Sequence, residues 1–190
     1  MLSAFYQLWA LKYFLAMKVI CVFVATLDGK ITKWNDPHVR DWTSQEDQKY
    51  YKQIWNDFDL IVMGSNTYIA EKFAPSPKRL LLVMTRHPSK YKQYEAPGQI
   101  EFTDQSPEDV VMECQQKGYK NMIMAGGPHL ATSFFQKKLI DELWLTIEPK
   151  IFGTGGNLVI EEKLDIDLRL LNIEKVNEKG TLITKYAVLH

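Results

Sequence analysis

Five short stretches of this sequence set reactive or anion-binding groups directly beside apolar runs. The first is Asn121-Met-Ile-Met-Ala-Gly-Gly-Pro-His-Leu, where a strand-like run meets Gly126 and Gly127 and an amphipathic helix follows at once. Two glycines remove both Cβ atoms and permit a close approach, and the free N–H groups of a helix start favour an anion. The stretch reads either as a cradle for a nucleotide diphosphate or as a tight strand-to-helix turn. The second, Gly64-Ser-Asn-Thr, offers Ser65, Asn66 and Thr67 as a further anion nest or as ordinary caps of a short helix. The third, Thr85-Arg86, closes an apolar run. A hydroxyl and a guanidinium there can hold the ribose phosphate of an NADP-type cofactor, or can simply stand in water. The fourth is Lys30, just beyond the Asp28-Gly29 turn, within reach of a substrate phosphate or ring carbonyl or solvated at the turn. The fifth is the acidic pair Glu46-Asp47 at a helix start. Turned inward among aromatic rings, such a carboxyl rises in pKa and can give a proton. Turned outward, it serves the helix dipole.

Other chemistries lack their residues. There is no Gly-x-Gly-x-x-Gly and no Gly-x-x-x-x-Gly-Lys-Ser/Thr, so neither a standard Rossmann site nor a P-loop is expected. His38, His87, His129 and His190 are scattered without metal-ligand spacing, and no serine sits in a nucleophile elbow. No metal is expected. The cysteines, Cys21 and Cys114, read as reduced core residues of a cytoplasmic protein. A formal net charge of +0 gives no electrostatic case for nucleic acid or an anionic membrane. Aromatic residues make up 12% of the chain, enough to line a nucleotide pocket or a dimer interface, or to fill a core.

The elements that must position these residues follow from periodicity. Val19–Ala25 is an unbroken apolar run, as for a strand buried on both faces. Thr43-Ser-Gln-Glu46 and Ser44-Gln-Glu-Asp47 both read as capping boxes, ahead of a helix with Tyr50, Tyr51, Ile54, Trp55 and Phe58 on one face. Strands are expected at 59–63, 79–85, 100–103, 121–125 and 143–147. Ser106-Pro-Glu-Asp starts a helix that Gly118 stops. Two last strands, 169–176 and 181–189, flank a turn at Asn177-Glu-Lys-Gly180. The order β-α-β-α-β-β-α-β-α-β with a terminal hairpin predicts an α/β fold. Its sheet is mixed but mostly parallel, with helices on both faces and an antiparallel C-terminal hairpin. Ligands of such sheets bind at strand carboxyl ends, where Gly64, Thr85 and Gly126 all fall. Gly153-Thr-Gly-Gly156 reads as a mobile loop beside the pocket or as a flexible connection. Residues 1–16 (MLSAFYQLWALKYFLA) are too short and interrupted for a membrane span and read as an N-terminal extension ahead of a domain over 17–190.

In order and spacing, several segments resemble the dihydrofolate-reductase-like fold, and within it the reductase family typified by the C-terminal domain of the riboflavin-biosynthesis deaminase-reductase. They are Ala25-Thr-Leu-Asp-Gly-Lys-Ile, Trp42-Thr-Ser-Gln-Glu-Asp, Asp59-Leu-Ile-Val-Met-Gly-Ser-Asn-Thr-Tyr, Ala125-Gly-Gly, Leu139-Ile-Asp-Glu-Leu and Glu148-Pro-Lys-Ile-Phe-Gly. The resemblance implies a three-layer α/β/α domain and NADPH-dependent reduction of a pterin-, pyrimidine- or ribosylamino-pyrimidine-like molecule. The types implied are 5-amino-6-(5-phosphoribosylamino)uracil reductase and dihydrofolate reductase. A non-catalytic nucleotide-binding protein of the same fold is the alternative. The resemblance puts NADPH against Ala25, against Gly64 to Thr67, against Thr85 and Arg86, and against Gly126, Gly127, Pro128, His129 and Leu130. It turns Lys30, Trp42 and Thr43 toward the substrate, gives Asp47 and Lys30 the catalytic positions, and implies a homodimer. Where the riboflavin enzymes carry an aspartate-rich stretch and further arginines, this chain reads Ile69-Ala-Glu-Lys-Phe-Ala-Pro75, which leaves the substrate unassigned.

Overall fold

The computed structural model describes residues 17–34, 36–71 and 73–190. The extension expected at 1–16 lies outside the described residues. Strand β1 (Lys18–Thr26) leads into helix α1 (Gln45–Asp57), β2 (Leu60–Gly64), α2 (Ser65–Glu71), β3 (Leu80–Met84), β4 (Ile100–Thr103) and α3 (Pro107–Gln116). There follow β5 (Asn121–Ala125), α4 (Pro128–Gln136), β6 (Glu142–Glu148), β7 (Leu168–Lys175) and β8 (Leu182–Val188). The eight strands form one sheet in the order β4-β3-β2-β5-β1-β6-β8-β7. All pairings from β4 to β6 are parallel, and β8 runs antiparallel to both β6 and β7. This is the mixed, mostly parallel sheet with a terminal hairpin that the element order predicts.

Alternation along the central strands divides the core in two. Val19, Cys21 and Phe23 of β1 join Met122 and Met124 of β5 beneath Val110 and Cys114 of α3 and Phe134 of α4. Ile20 and Val22 join Ile61, Met63 and Ile123 beneath Ile54 of α1 and Tyr68 of α2. Two covered faces make the three layers and explain why β1, β2, β3 and β5 read as continuous apolar runs. Both cysteines are free and buried, as their apolar settings predict.

The helix starts decide how the site is held. Ser44 caps α1, accepting the Asp47 amide at 3.2 Å. Of the two overlapping capping registers, only the one on Ser44 forms. Ser106 caps α3 in the same way through the Asp109 amide. Ser65 and Asn66 lie inside the first turn of α2 and do not precede it as caps. Among the described residues no helix is long and apolar enough to cross a membrane.

Candidate active site

The carboxyl ends of β1, β5, β2 and β3 open onto one continuous cavity of about 1660 Å³. Its neighbours leave the sheet in opposite directions. α1 and α2 cover one face, while α3 and α4 cover the other. Strand ends whose connections diverge in this way leave a crevice that a ligand can enter. Of the expected cofactor residues, Gly64 to Thr67, Thr85, Arg86 and Gly126 to Leu130 line it. Thr43 and Asp47 line it from the other side.

The glycine turn divides its work. Gly126 has φ 89°, and a Cβ there would meet the Thr67 side chain at 3.1 Å. Its close approach is to α2. Gly127 has φ 94°, and the nearest atom to an added Cβ is Leu130 Cβ at 3.7 Å, so the space in front of it is open. Gly127 stands at the N-cap of α4 with Pro128 in the first turn, and no side chain caps this helix. His129 and Leu130, in the first turn of α4 at the positive end of the helix dipole, line the cavity, and among the described residues no side chain caps their N–H groups. The exposed Arg86 stands at the same rim with His87 and Lys90. Thr85 accepts the His87 amide at 3.3 Å, which shapes the turn that presents Arg86.

Across the cavity stands an acid. Asp47 is only 7% exposed. Burial pushes its carboxyl up to about 6, against the hydrogen bonds of Thr146 and Thr43, and the neighbouring carboxylate of Glu148 adds to the rise. Tyr50, one turn along α1, has a buried hydroxyl without a partner among the described residues, and burial together with Asp47 and Glu174 raises it to about 12. Farther out, Trp55 stacks on Phe73 at 4.5 Å with Tyr51 beside it, forming an aromatic wall. The Arg40 guanidinium pairs with Glu71 at 3.1 Å, linking the loop before α1 to α2.

Three expected residues are not brought to this cavity. Lys30 donates from Nζ to Asn157 Oδ1 at 2.8 Å and does not line the cavity. Trp42 is 5% exposed and packs edge-on against Phe152 at 5.2 Å, with its indole N–H unpartnered among the described residues. Ala25 is buried in the core beneath α4. One cause is shared by the first two. The segment after β1 is fastened to the stretch after β6 by Asp28, whose carboxylate accepts the Phe152 and Gly153 amides, and by Thr32, which accepts the Gly156 amide. Gly153–Gly156 is accordingly a held connection that seats Lys30, and it does not line the cavity.

Sequence reasoning gave no role to Thr146, Glu148 or the aromatic wall. A signal for the first two was present. Thr146 and Glu148 are polar residues two apart in a strand that is apolar from Leu143 to Leu145, so they share a face. Both are buried, and that face looks toward α1.

This arrangement can hold an anion at the start of α4, keep a proton on a buried carboxyl opposite it, and screen the space between with aromatic side chains. Solved structures share the fold. A pyrimidine reductase-like protein from Corynebacterium diphtheriae superimposes with a TM-score of 0.73 at 15% identity, covering 95% of each chain. Dihydrofolate reductase from Enterococcus faecalis, complexed with NADP(H), gives 0.60 at 18% identity, covering 90% of this chain and 94% of that one. In sequence, the chain is 27% identical over 165 residues to the uncharacterized protein YyaP of Bacillus subtilis (strain 168), spanning 82% of this chain and 87% of that protein. Residues 17–182 match the RibD C-terminal domain family, and the chain belongs to it.

Proposed function

We propose that this protein is an NADPH-dependent reductase of a small pterin-, pyrimidine- or ribosylamino-pyrimidine-like molecule. One observation carries the reading. The uncapped, glycine-opened start of α4 and the buried acid Asp47 line the same continuous cavity. At about 1660 Å³ that cavity exceeds the several hundred Å³ typical of one small ligand, so two can lie side by side. Family membership and the fold shared with an NADP(H)-complexed dihydrofolate reductase support the same reading.

The residues fit a nicotinamide nucleotide. Gly127 leaves room where a Cβ would intrude, the free α4 amides suit a diphosphate, and Arg86 suits a ribose phosphate. When bound, NADPH supplies a hydride. The chain's own part is to hold the two rings together and to deliver the matching proton. Burial lifts the Asp47 carboxyl to about 6, so it is half protonated there and about a tenth still carries a proton at pH 7, with the Thr43 and Thr146 hydroxyls beside it. It would give that proton to the ring atom next to the carbon that receives hydride, and regain one from water. Lys30 is engaged by Asn157 and does not line the cavity, and it is given no step in this proposal.

A homodimer fits the outer edge of the sheet. Register with β8 puts Leu168, Leu170 and Ile173 on one face of β7, with Arg169, Asn172 and Glu174 on the other. That is the pattern of a strand with one covered face, yet all eight residues of β7 are exposed. A second copy packed on this stripe would cover it.

The test is calorimetric titration with NADPH, followed by its absorbance during incubation with a panel of oxidised pterins, pyrimidines and ribosylaminopyrimidines. Saturable binding is expected, with consumption of NADPH by at least one class. Absence of NADPH binding would remove the proposal.

A further inference from the structure

Glu148 is one of the most deeply buried charged side chains described, 2% exposed at the end of β6, and the chemistry above makes no use of it. Both of its carboxylate oxygens are engaged. Oε1 accepts the backbone amide of Ser44 at 2.6 Å, and Oε2 accepts the hydroxyl of Thr181 at 2.8 Å. Ser44 is the residue whose own hydroxyl accepts the Asp47 amide and starts α1. Thr181 belongs to the turn between β7 and β8, where Asn177 donates to Thr181 Oγ1 at 3.0 Å and to Glu46 at 3.1 Å. A chain of hydrogen bonds thus runs from the hairpin turn through Glu148 to the cap of the helix that carries the acid.

We propose that Glu148 is the positioning residue of this site, clamping the capped start of α1 to the β7–β8 turn and so fixing Asp47 over the cavity. The inference rests on the reading of Asp47 as proton donor. A second consequence is electrostatic. A carboxylate beside Asp47 opposes its ionisation, which adds to the rise that burial causes and leaves more of the acid protonated as pH approaches neutral. The groups facing Asp47 are Glu148 and Thr146 from β6, Thr43 ahead of α1, and Tyr50 and Tyr51 on α1. Glu46 points instead to Asn177, with Lys49 and Lys179 nearby.

Three variants separate these effects, read by carboxyl-carbon NMR of Asp47 and by hydrogen exchange of the Ser44 amide, neither of which needs a substrate. Glu148→Gln keeps an oxygen for Ser44 but removes the charge. The Asp47 midpoint should fall by about one pH unit while the Ser44 amide stays protected. Glu148→Ala removes the clamp, so protection of Ser44 should drop roughly tenfold or more, and the Asp47 midpoint should fall as water enters. Thr181→Val, outside the cavity, should raise Ser44 exchange severalfold and lower kcat without changing NADPH affinity. It also serves if the alanine variant does not fold. An Asp47 midpoint unmoved in the glutamine variant, or Ser44 protection unmoved in both the alanine and valine variants, overturns the proposal. Failure of the proton-donor reading looks different: the midpoint and protection would shift as expected, but Asp47→Asn would turn over like the wild type.

Discussion

Asp47 is held in a setting that weakens the fold and lets its carboxyl stay protonated to a higher pH than a solvated aspartate would. Its carboxyl is raised from an ordinary 3.8 to about 6 by burial, with Glu148 contributing. A folded-state pKa above the unfolded value means that the stability present below pH 4 is lost as pH rises through 6. Each pH unit between the two values is worth about 1.4 kcal/mol, so the cost above pH 7 is of the order of 2–3 kcal/mol. Asp47→Asn should therefore match the wild type in urea denaturation at about pH 3.5 and exceed it at about pH 8. The same variant should lose about 100-fold in turnover while NADPH affinity stays within about twofold. Stability equal to wild type at both pH values would place the carboxyl in solvent. Arg86 makes a separate prediction. Arg86→Ala should weaken NADPH about tenfold and leave NADH nearly unchanged, as measured by paired calorimetric titrations. Equal losses would deny it the ribose phosphate. These residues were legible in the sequence because each stands at the end of an apolar run or in a capped first turn. Lys30 and Trp42 stand at similar places, but their direction was set by pairings with Asn157 and Phe152, far along the chain, that no local spacing reveals.

At the scale of the element, two helices start in the same way and do different work. Ser44 and Ser106 each cap a helix by accepting the amide three residues on. Replacing either with alanine should cost about 1 kcal/mol in denaturant unfolding. Only Ser44→Ala should also reduce turnover, because only α1 carries the acid; Ser106→Ala should leave the rate unchanged. A parallel drop in both would mean that the rate follows global stability alone. The sequence offered two overlapping capping boxes at Thr43 and Ser44, and it did not choose between them. In the structure the capping residue is Ser44, whose amide Glu148 accepts from the end of β6, a pairing that no local spacing reveals. Helix α4 is the contrast: its start is left without a side-chain cap at a glycine turn. The sequence showed that turn plainly. It did not show that Gly126 serves the close packing of Thr67 while Gly127 leaves the open space.

For the whole molecule, apolar runs and the element order were enough to read a three-layer fold, since parallel strands buried on both faces announce themselves by unbroken hydrophobicity. What they could not give is the strand order, which inserts β5 between β2 and β1 and so brings Gly127 and Asp47 to one cavity. The outer edge makes its own prediction. If a second copy covers the stripe on β7, then light scattering should report a dimer for the wild type, and the pair Leu170→Lys with Ile173→Lys should shift it to a folded monomer. A wild type that stays monomeric at micromolar concentration would leave that stripe without its proposed partner. Hydride transfer within the cavity is the claim on which the proposed chemistry stands. NADPH carrying deuterium at the transferable position of its nicotinamide, mixed with the protein and an oxidised heterocycle, tests it directly by mass spectrometry of the product. One deuterium should enter the product for each NADPH consumed, and it should appear much more slowly with Asp47→Asn. NADPH that binds but passes no deuterium to any pterin, pyrimidine or ribosylaminopyrimidine would contradict hydride transfer and leave a nucleotide-binding protein of the same fold.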